Sequence, residues 1–234
     1  MDYGNGVSDG RQWGCDESGQ ARFSGAQALL QYARIRTIIE SGQSLSQDNQ
    51  MRNVIYAINL TLDGCCDHTK FTPDDDLLEH YTDLLREVGL LVYGRKTYEL
   101  MVPYWPDVAK DPSSTKGDSE FAQTFVSKKK VVFSRTLGSA DDRDTRIVRT
   151  NLREEMLKLK QEPGKNILVG GVDIPSQLIE LGLVDEYRFV VAPVMVGEGR
   201  RLMEGVSLPE RLRLKLVESK VFKSGSVALR YLKQ

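Results

Sequence analysis

Two glycines between an apolar run and an amphipathic segment are the residues of this sequence best suited to hold a phosphate. Residues 167–173 read ILVGGVD, and the apolar positions that follow recur at helical spacing. A strand, a glycine turn and a helix start present backbone N–H groups and the positive end of a helix to an anion. Gly170 and Gly171 lack a Cβ, which allows a ligand to approach closely. The pattern predicts a phosphate site, and an ordinary tight turn is the alternative.

Basic side chains follow two other predicted strand ends. Residues 94–97 read GRKT and begin a predicted helix, and Ser134 and Arg135 end another strand. Cations at a helix N-terminus oppose the helix dipole, so a bound ligand explains their presence there as well as the alternative, an ordinary charged surface. Arginine binds phosphate through a planar two-pronged contact, and lysine binds it as a point charge. A second phosphate site lined by Arg95, Lys96 and Arg135 would suit NADPH, whose 2′-phosphate distinguishes it from NADH.

From Met51 onward the pattern alternates between strands and helices, and these elements must position the candidate residues. Strands are predicted at 53–60, 90–93, 130–133, 166–169, 186–192, 212–222 and 226–232, and helices at 74–88, from 94 onward, at 119–127, 151–161 and 173–181. A loop is predicted at 103–116, and a left-handed cap at Gly182. Such alternation predicts an α/β fold of three layers, α/β/α, with a mostly parallel mixed sheet and a C-terminal antiparallel hairpin. Ligands bind at the carboxyl ends of the strands in such sheets.

Composition excludes several classes of function. The 234 residues carry a formal net charge of -1, which gives no global attraction to nucleic acid or to an anionic membrane. No apolar run approaches the roughly 20 residues that span a bilayer. Cys15, Cys65 and Cys66 do not suggest a disulfide framework, so a cytoplasmic location is predicted. With two histidines and no Cys-x-x-Cys, no metal site is expected.

Residues 1–50 differ in character from the rest of the chain. They contain no lysine and no proline, and glycine, serine, glutamine and aspartate dominate up to about Gly25. A helical pattern covers 26–40. One interpretation is a disordered or loosely helical extension that precedes a folded domain at 51–234. The other is an amphipathic arm that docks on this domain or on a partner.

The sequence from Met51 to the C-terminus resembles the dihydrofolate reductase-like fold. The resemblance is strongest to the reductase domain of bacterial riboflavin-biosynthesis deaminase-reductases and their stand-alone relatives. The motifs that carry it are TLDG at 61–64, YGRKTY at 93–98, VFSRTL at 132–137, VGG at 169–171 with Leu178, LVDE at 183–186 and PVMVGEG at 193–199. The deaminase signature, His-x-Glu with Pro-Cys-x-x-Cys, is missing, so the chain is not a complete bifunctional riboflavin enzyme.

The resemblance implies an NADPH-dependent reductase acting on a small heterocycle, either pterin-like or 5-amino-6-ribosylaminouracil-like. Its implied cofactor contacts are Gly94, Arg95, Lys96 and Thr97 for the adenosine side, Ser134 and Arg135 for the 2′-phosphate, Gly170, Gly171 and Val172 for the pyrophosphate and nicotinamide, and Asn59 beside the nicotinamide ring. It also implies a cis peptide at Gly170–Gly171 and a homodimer. The alternative is an NADP(H)-binding module or sensor that has no turnover.

Hydride transfer also needs a proton donor near the acceptor. Asp63 follows the strand beside the expected nicotinamide and is one candidate, although capping of the turn at Gly64 is an alternative role. Dihydrofolate reductases carry an acid early in the helix after the first loop, and Glu79 or Asp76 would correspond to it. Tyr98, Tyr104 and Trp105 are candidates to stack on a flat substrate.

Overall fold

Eight strands pair into one mixed sheet in the computed structural model of the chain, which describes residues 51–70, 73–140, 142–206, 208 and 210–234. The predictions for residues 1–50 lie outside these described residues. The strands are β1 (Val54–Thr61), β2 (Val88–Gly94), β3 (Lys129–Phe133), β4 (Thr145–Val148), β5 (Asn166–Val169), β6 (Glu186–Ala192), β7 (Leu214–Val221) and β8 (Val227–Lys233). Their order across the sheet is β4-β3-β2-β5-β1-β6-β8-β7.

Strand β5 lies between β1 and β2 and pairs in parallel with both. Ile167 of β5 is opposite Val54 of β1 and opposite Leu90 of β2. Strands β3 and β6 continue the parallel arrangement on either side, and β8 is antiparallel to both of its neighbours. The carboxyl ends of β3, β2, β5 and β1 therefore lie side by side at one edge of the sheet. This edge is where the sequence places its glycines and cations.

Five α-helices accompany these strands in the described part of the chain. They are α1 (Asp75–Glu87), α2 (Arg95–Val108), α3 (Lys116–Val126), α4 (Leu152–Gln161) and α5 (Asp173–Glu180). Side chains cap three of the N-termini, and the Asp74 carboxylate, for example, accepts a hydrogen bond from the Leu77 N–H at 2.8 Å. Within the described ranges no helix is long and apolar enough to cross a bilayer.

Apolar clusters fill both faces of the sheet. Helices α1, α2 and α3 pack on one face through residues such as Leu84, Tyr98 and Phe125. Helices α4 and α5 pack on the other through Met156 and Leu178. The predicted three-layer α/β/α fold, with a mostly parallel mixed sheet and a C-terminal antiparallel hairpin, is confirmed.

Helix α2 is longer than the sequence predicts. The predicted loop at 103–116 was wrong for 103–108, because Pro103 and Pro106 lie inside the helix, and right for 109–115, which join α2 to α3. An interior proline removes a helix hydrogen bond and costs roughly 3 kcal/mol. Apolar residues at helical spacing offset this cost: Val102 is buried in the core, and the Trp105 ring lies 4.3 Å from that of Phe121. Packing of the apolar stripe therefore decides the length of this helix.

The predicted cap at the end of α5 is confirmed. Gly182 has a φ of +68°, the left-handed conformation that glycine adopts most readily. The N–H of Gly182 bonds to the carbonyl of Ile179, and the N–H of Leu183 bonds to that of Leu178. These two bonds satisfy carbonyls at the helix end and turn the chain toward β6.

Candidate cofactor site

A cleft of about 730 Å³ lies at the edge where β1, β2, β3 and β5 end. Its volume falls within the range of roughly 300–1,000 Å³ that ligand sites occupy. The lining residues come from these four strand ends, from the starts of α2 and α5, and from two loops. They are Ile58, Asn59, Cys66, His68, Gly94, Arg95, Lys96, Thr97, Leu100, Phe133, Thr136, Gly170, Gly171, Val172, Asp173, Ile174 and Arg200.

Most of the cofactor residues proposed from the sequence line this one cleft. Those brought together are Asn59, Gly94, Arg95, Lys96, Thr97, Gly170, Gly171 and Val172. Ser134 and Arg135 do not line it, although Phe133 and Thr136 on either side of them do. Turns that are far apart in sequence therefore meet at a single concave surface, as the glycine and cation pattern predicts.

Protein neighbours require glycine at positions 170 and 171. A Cβ on Gly171 would lie 2.2 Å from the Thr97 hydroxyl oxygen, and a Cβ on Gly170 would lie 2.7 Å from the Tyr93 ring. Gly171 also has a φ of +86°. The peptide between the two glycines is trans, so the implied cis peptide is wrong, and the chain turns through the left-handed dihedral of Gly171. The two glycines thus permit the β5–α5 turn to pack closely on α2.

A buried tyrosine beneath the turn holds it in place. Tyr56 of β1 is fully buried, and its hydroxyl donates a hydrogen bond to the carbonyl of Gly171 at 3.1 Å. Burial raises the pKa of this hydroxyl, which therefore stays protonated and able to donate. The bond joins β1 to the turn at the end of the neighbouring strand β5.

The turn after β3 is organised around Thr136. Its hydroxyl accepts a hydrogen bond from the Arg95 guanidinium at 3.1 Å, which joins the start of α2 to this turn. The Ser134 hydroxyl is used within the turn, where it accepts from the N–H groups of Thr136 at 3.2 Å and Leu137 at 2.9 Å. Arg135 is exposed. Geometry therefore places Arg95 at the cleft, as the sequence predicts, with Thr136 beside it in place of Ser134 and Arg135.

A family model for the RibD C-terminal domain matches residues 52–228. The match includes all four strand ends that form the cleft. The chain belongs to the RibD C-terminal domain family. The resemblance drawn from the sequence motifs is thereby confirmed.

Two relatives of this RibD-type domain are uncharacterized proteins of Bacillus subtilis (strain 168). YyaP is 35% identical over 191 residues, which cover 80% of this chain and 98% of YyaP. YwjB is 27% identical over 139 residues, which cover 58% of this chain and 70% of YwjB. The alignment with YyaP takes in nearly all of that protein, so the RibD-type domain accounts for almost its whole length.

Solved structures share the fold at low sequence identity. A protein of Shewanella sp. PV-4 assigned to riboflavin biosynthesis superposes with a TM-score of 0.60 at 18% identity, over 78% of this chain and 99% of that one. Acinetobacter baumannii RibD gives 0.55 at 17%, over 79% of this chain and 59% of that one. A pyrimidine reductase-like protein of Corynebacterium diphtheriae gives 0.54 at 16%, over 85% and 98%. At these identities the similarity shows the fold alone, and that fold is the predicted dihydrofolate reductase-like one.

Several residues of the cleft in this RibD-type domain were not singled out from the sequence. Thr136 lies inside the VFSRTL motif and Asp173 ends the ILVGGVD stretch, which Ile174 directly follows, so local position was a usable signal for them. Arg200 directly follows the PVMVGEG motif in the loop after β6, whereas Cys66 and His68 come from the loop after β1, where no local pattern marks them. In the part of the chain that the structure describes, no group of three or more His, Cys, Asp or Glu residues is placed to hold a metal ion.

Asp63 fastens two loops together and does not line the cleft. Its carboxylate accepts hydrogen bonds from the Thr61 hydroxyl at 2.5 Å and from the N–H groups of Gly197 at 2.8 Å and Val196 at 3.3 Å. The Thr61 hydroxyl and the Gly197 N–H lower the pKa of Asp63 to about 2. A carboxyl group this acidic is ionised at neutral pH, so the geometry favours the structural role over proton donation.

Asp63→Asn should reduce the sensitivity of the domain to acid. The pKa of Asp63 is lower in the folded state than its ordinary value of 3.8, so its stabilising contribution is present above about pH 4 and is lost as pH falls toward 2. Urea midpoints measured at steps between pH 5 and pH 2 should therefore fall less in Asp63→Asn than in the wild type. Parallel curves for the two proteins would contradict this role. Asp111→Asn serves as the comparison and should give a smaller change of the same sign, because Asp111 also has a lowered pKa but bonds only within its own turn.

The other proposed acids also lie away from the cleft. Glu79 is exposed on α1. Asp76 accepts a hydrogen bond from the N–H of Lys223 at 3.0 Å, which joins α1 to the turn between β7 and β8. Neither residue lines the cleft, so the structure brings no proposed proton donor to it.

The three aromatic residues proposed for substrate stacking have other surroundings. Tyr98 is 5% exposed within the core, and its hydroxyl has no hydrogen-bond partner among the described residues. Trp105 packs on Phe121, and the Tyr104 ring lies 5.0 Å from that of Trp105 and is 58% exposed. None of the three lines the cleft.

A second, smaller cavity shares Asn59 with the cleft. It has a volume of about 230 Å³ and lies on the side of β1 that faces β6 and α1. The Tyr81 hydroxyl donates a hydrogen bond to Oδ1 of Asn59 at 2.7 Å. The oxygen of this amide is therefore engaged, and its NH₂ group is left to donate. The other polar side chains that line this smaller cavity are Lys70, Asp74, Ser224 and Ser226.

Proposed function

We propose that this chain is an NADPH-dependent reductase that transfers hydride to a small heterocyclic substrate, pterin-like or 5-amino-6-ribosylaminouracil-like. The observation that carries the proposal is the convergence of the Gly170–Gly171 turn, Arg95 and Lys96 on one cleft. Membership of the RibD C-terminal domain family supports a reductase. The riboflavin biosynthesis and pyrimidine reductase-like names of the structural neighbours support the substrate class.

The residues of the cleft suit a phosphorylated dinucleotide. The Gly170 N–H already bonds to the Val92 carbonyl at 3.1 Å, so the N–H groups of Gly171 and of the start of α5, with the Lys96 ammonium, would hold the diphosphate. Arg95 with Thr136 would hold the 2′-phosphate. Ile58 and Asn59 at the end of β1 would flank the nicotinamide. When bound, NADPH supplies the hydride, and the protein binds and orients the reactants.

The cavity beside Asn59 would take the substrate. Asn59 borders both spaces, so a heterocycle in the smaller cavity would lie next to the nicotinamide end of the cleft. The Asn59 NH₂ group, oriented by Tyr81, would donate to a ring carbonyl or nitrogen, and the Asp74 carboxylate would accept from a ring or exocyclic N–H. These groups would position the substrate.

Titration with NADPH and NADH, followed by fluorescence, tests the cofactor assignment. Arg95→Ala should weaken NADPH binding roughly tenfold to a hundredfold, because a hydrogen-bonded charge on the 2′-phosphate is lost, and should leave NADH binding nearly unchanged. Arg135→Ala should have a smaller effect, since Arg135 does not line the cleft. Failure of the wild type to bind NADPH at high micromolar concentration would remove the proposal.

A nucleotide-binding module without turnover is the second candidate function. It is favoured by the positions of Asp63 and Glu79, neither of which lines the cleft. The two candidates differ in one measurement, which is NADPH oxidation in the presence of pterins, aminouracils and quinones. The reductase predicts that at least one of these compounds is reduced while NADPH is oxidised. The module predicts that NADPH binds but is oxidised in the presence of none of them.

Homodimerisation stays a prediction. Strand β7 lies at the edge of the sheet, with Leu216 49% and Val221 71% exposed, and an edge strand offers unpaired backbone groups to a second copy. Light scattering at micromolar concentration should give the mass of a dimer, and a monomer mass would contradict the prediction.

A further inference from the structure

An ion pair closes one side of the cleft. The Arg200 guanidinium, from the loop after β6, lies 2.6 Å from the carboxylate of Asp173, the first residue of α5. Both residues line the cleft beside the Gly170–Gly171 turn. The contact joins the loop after β6 to the start of α5 at the rim of the cleft.

The backbone at Arg200 is held firmly, although its side chain is not. The N–H of Cys66 bonds to the Arg200 carbonyl at 2.9 Å, and Leu202 bonds back to Gly64. These bonds join the loop after β6 to the loop after β1. The side chains of the ion pair are 45% exposed for Arg200 and 58% for Asp173, and an exposed pair of this kind contributes little stability. The guanidinium can therefore exchange partners while its backbone stays in place.

The Asp173 carboxylate takes the position of an anionic ligand in the cleft. It directly follows the glycine turn and begins a helix, where negative charge is favoured. Arg200 and Lys96 both lower the pKa of Asp173, so its carboxyl group is ionised at neutral pH and is attracted to two cations. The Asp173 carboxylate thus lies beside a helix start, a glycine turn and two cations. This is the place where the proposed function puts a diphosphate.

We infer that Arg200 is a diphosphate-binding residue of the cleft. Without ligand its guanidinium pairs with the Asp173 carboxylate of the same chain, and a bound diphosphate takes the place of that carboxylate. This inference rests on the proposed function and adds a residue to its cofactor site. A diphosphate carries more charge and more acceptor oxygens than one carboxylate, and arginine binds phosphate through two parallel N–H contacts. Exchange of Asp173 for a diphosphate therefore gains contacts for Arg200.

Substitutions of the two partners should have opposite effects on affinity. Arg200→Ala should weaken binding of NADPH, and of inorganic pyrophosphate, by about tenfold, since a charged hydrogen-bond donor is lost. Asp173→Asn should tighten binding of both ligands about two- to fivefold, since a competing anion is removed. In the double variant the gain from Asp173→Asn should disappear, because there is no Arg200 left to release. Isothermal titration calorimetry on the full chain measures all four proteins.

A matched pair on α1 controls for charge and for loss of a surface contact. Arg86 lies 2.8 Å from Asp83, with exposures of 51% and 63%, and also bonds to Glu120; none of the three lines the cleft. Asp83→Asn and Arg86→Ala should leave both affinities unchanged. If Arg200→Ala does not fold, as judged by thermal unfolding, Arg200→Lys replaces it and should weaken binding less, because it keeps the charge and loses the two-pronged contact.

A purely structural ion pair predicts a different pattern. Both single variants would then weaken binding and lower the unfolding temperature, and that result, or an unchanged affinity in Asp173→Asn, would overturn the inference. Pyrophosphate binding with these opposite effects, but no NADPH binding, would reject the proposed function and keep the diphosphate site. Binding of neither ligand by the wild type would reject both.

Discussion

Gly171→Ala should destabilise the domain by about 2–5 kcal/mol and weaken NADPH binding about tenfold or more. A left-handed φ costs a non-glycine residue about 1–2 kcal/mol, and overpacking costs typically a further 1–3 kcal/mol. Both terms apply at this position, where φ is +86° and the added Cβ would lie 2.2 Å from the Thr97 hydroxyl. Relief of the clash would separate the β5–α5 turn from α2, and both line the cleft. Urea unfolding and fluorescence titration measure the two effects.

Gly225→Ala separates dihedral strain from the clash. Gly225 has a φ of +83°, and its added Cβ would lie 3.5 Å from Pro193, which is ordinary contact. This control should lose only the dihedral term of about 1–2 kcal/mol. Thr97→Ala should recover part of the stability lost in Gly171→Ala, because it removes the hydroxyl that the new Cβ meets. Equal losses in the two glycine variants would show that the contact with Thr97 is unimportant.

Glu186→Ala should destabilise the fold by about 3–5 kcal/mol, the cost of removing one partner from a buried ion pair. Glu186 is 3% exposed and accepts hydrogen bonds from Arg188 at 2.5 Å and from Arg230 at 2.8 Å. The Arg188 side chain is itself only 10% exposed, so loss of Glu186 leaves a poorly solvated charge between β6 and β8. The free energy of unfolding from urea titration measures the loss.

Glu87→Ala is the matched control, because Glu87 also bonds to Arg188. The Glu87 side chain is 49% exposed, and an exposed ion pair contributes about 1 kcal/mol or less. Similar losses in the two variants would contradict the view that burial sets the cost. Neither residue lines the cleft, so affinity for the proposed cofactor NADPH should be unchanged wherever the variant remains folded.

The LVDE motif at 183–186 is one of the motifs that carry the family resemblance, and its acidic residues have a structural role. Asp185 accepts a hydrogen bond from the N–H of Val54 at 2.8 Å and binds the Lys160 ammonium at 2.5 Å. It therefore fastens α4 and the start of β1 to the chain entering β6, and Glu186 holds the arginines of β6 and β8. In this motif the acids stabilise the sheet, and the residues of the cleft come from elsewhere.

The sequence by itself determined the elements and the glycine turns of the cleft. Apolar spacing located most of the helices and every described strand except the short β4 within a few residues, and Gly182 located the end of α5, because these signals act between near neighbours along the chain. The same local logic placed Gly94, Arg95 and Gly170 at strand ends. Parallel strands end at one edge of the sheet, so the shared cleft followed from the fold class.

The tertiary structure decided which side chains face that cleft. Insertion of β5 between β1 and β2 brings Tyr56 beneath Gly171, and the loop after β6 brings Arg200 to Asp173, a residue 27 positions earlier in the chain. It also showed that Asp63 holds that loop to the end of β1. Strand order and loop pairing depend on contacts between residues far apart in sequence, and the periodicity of a single segment carries no information about them.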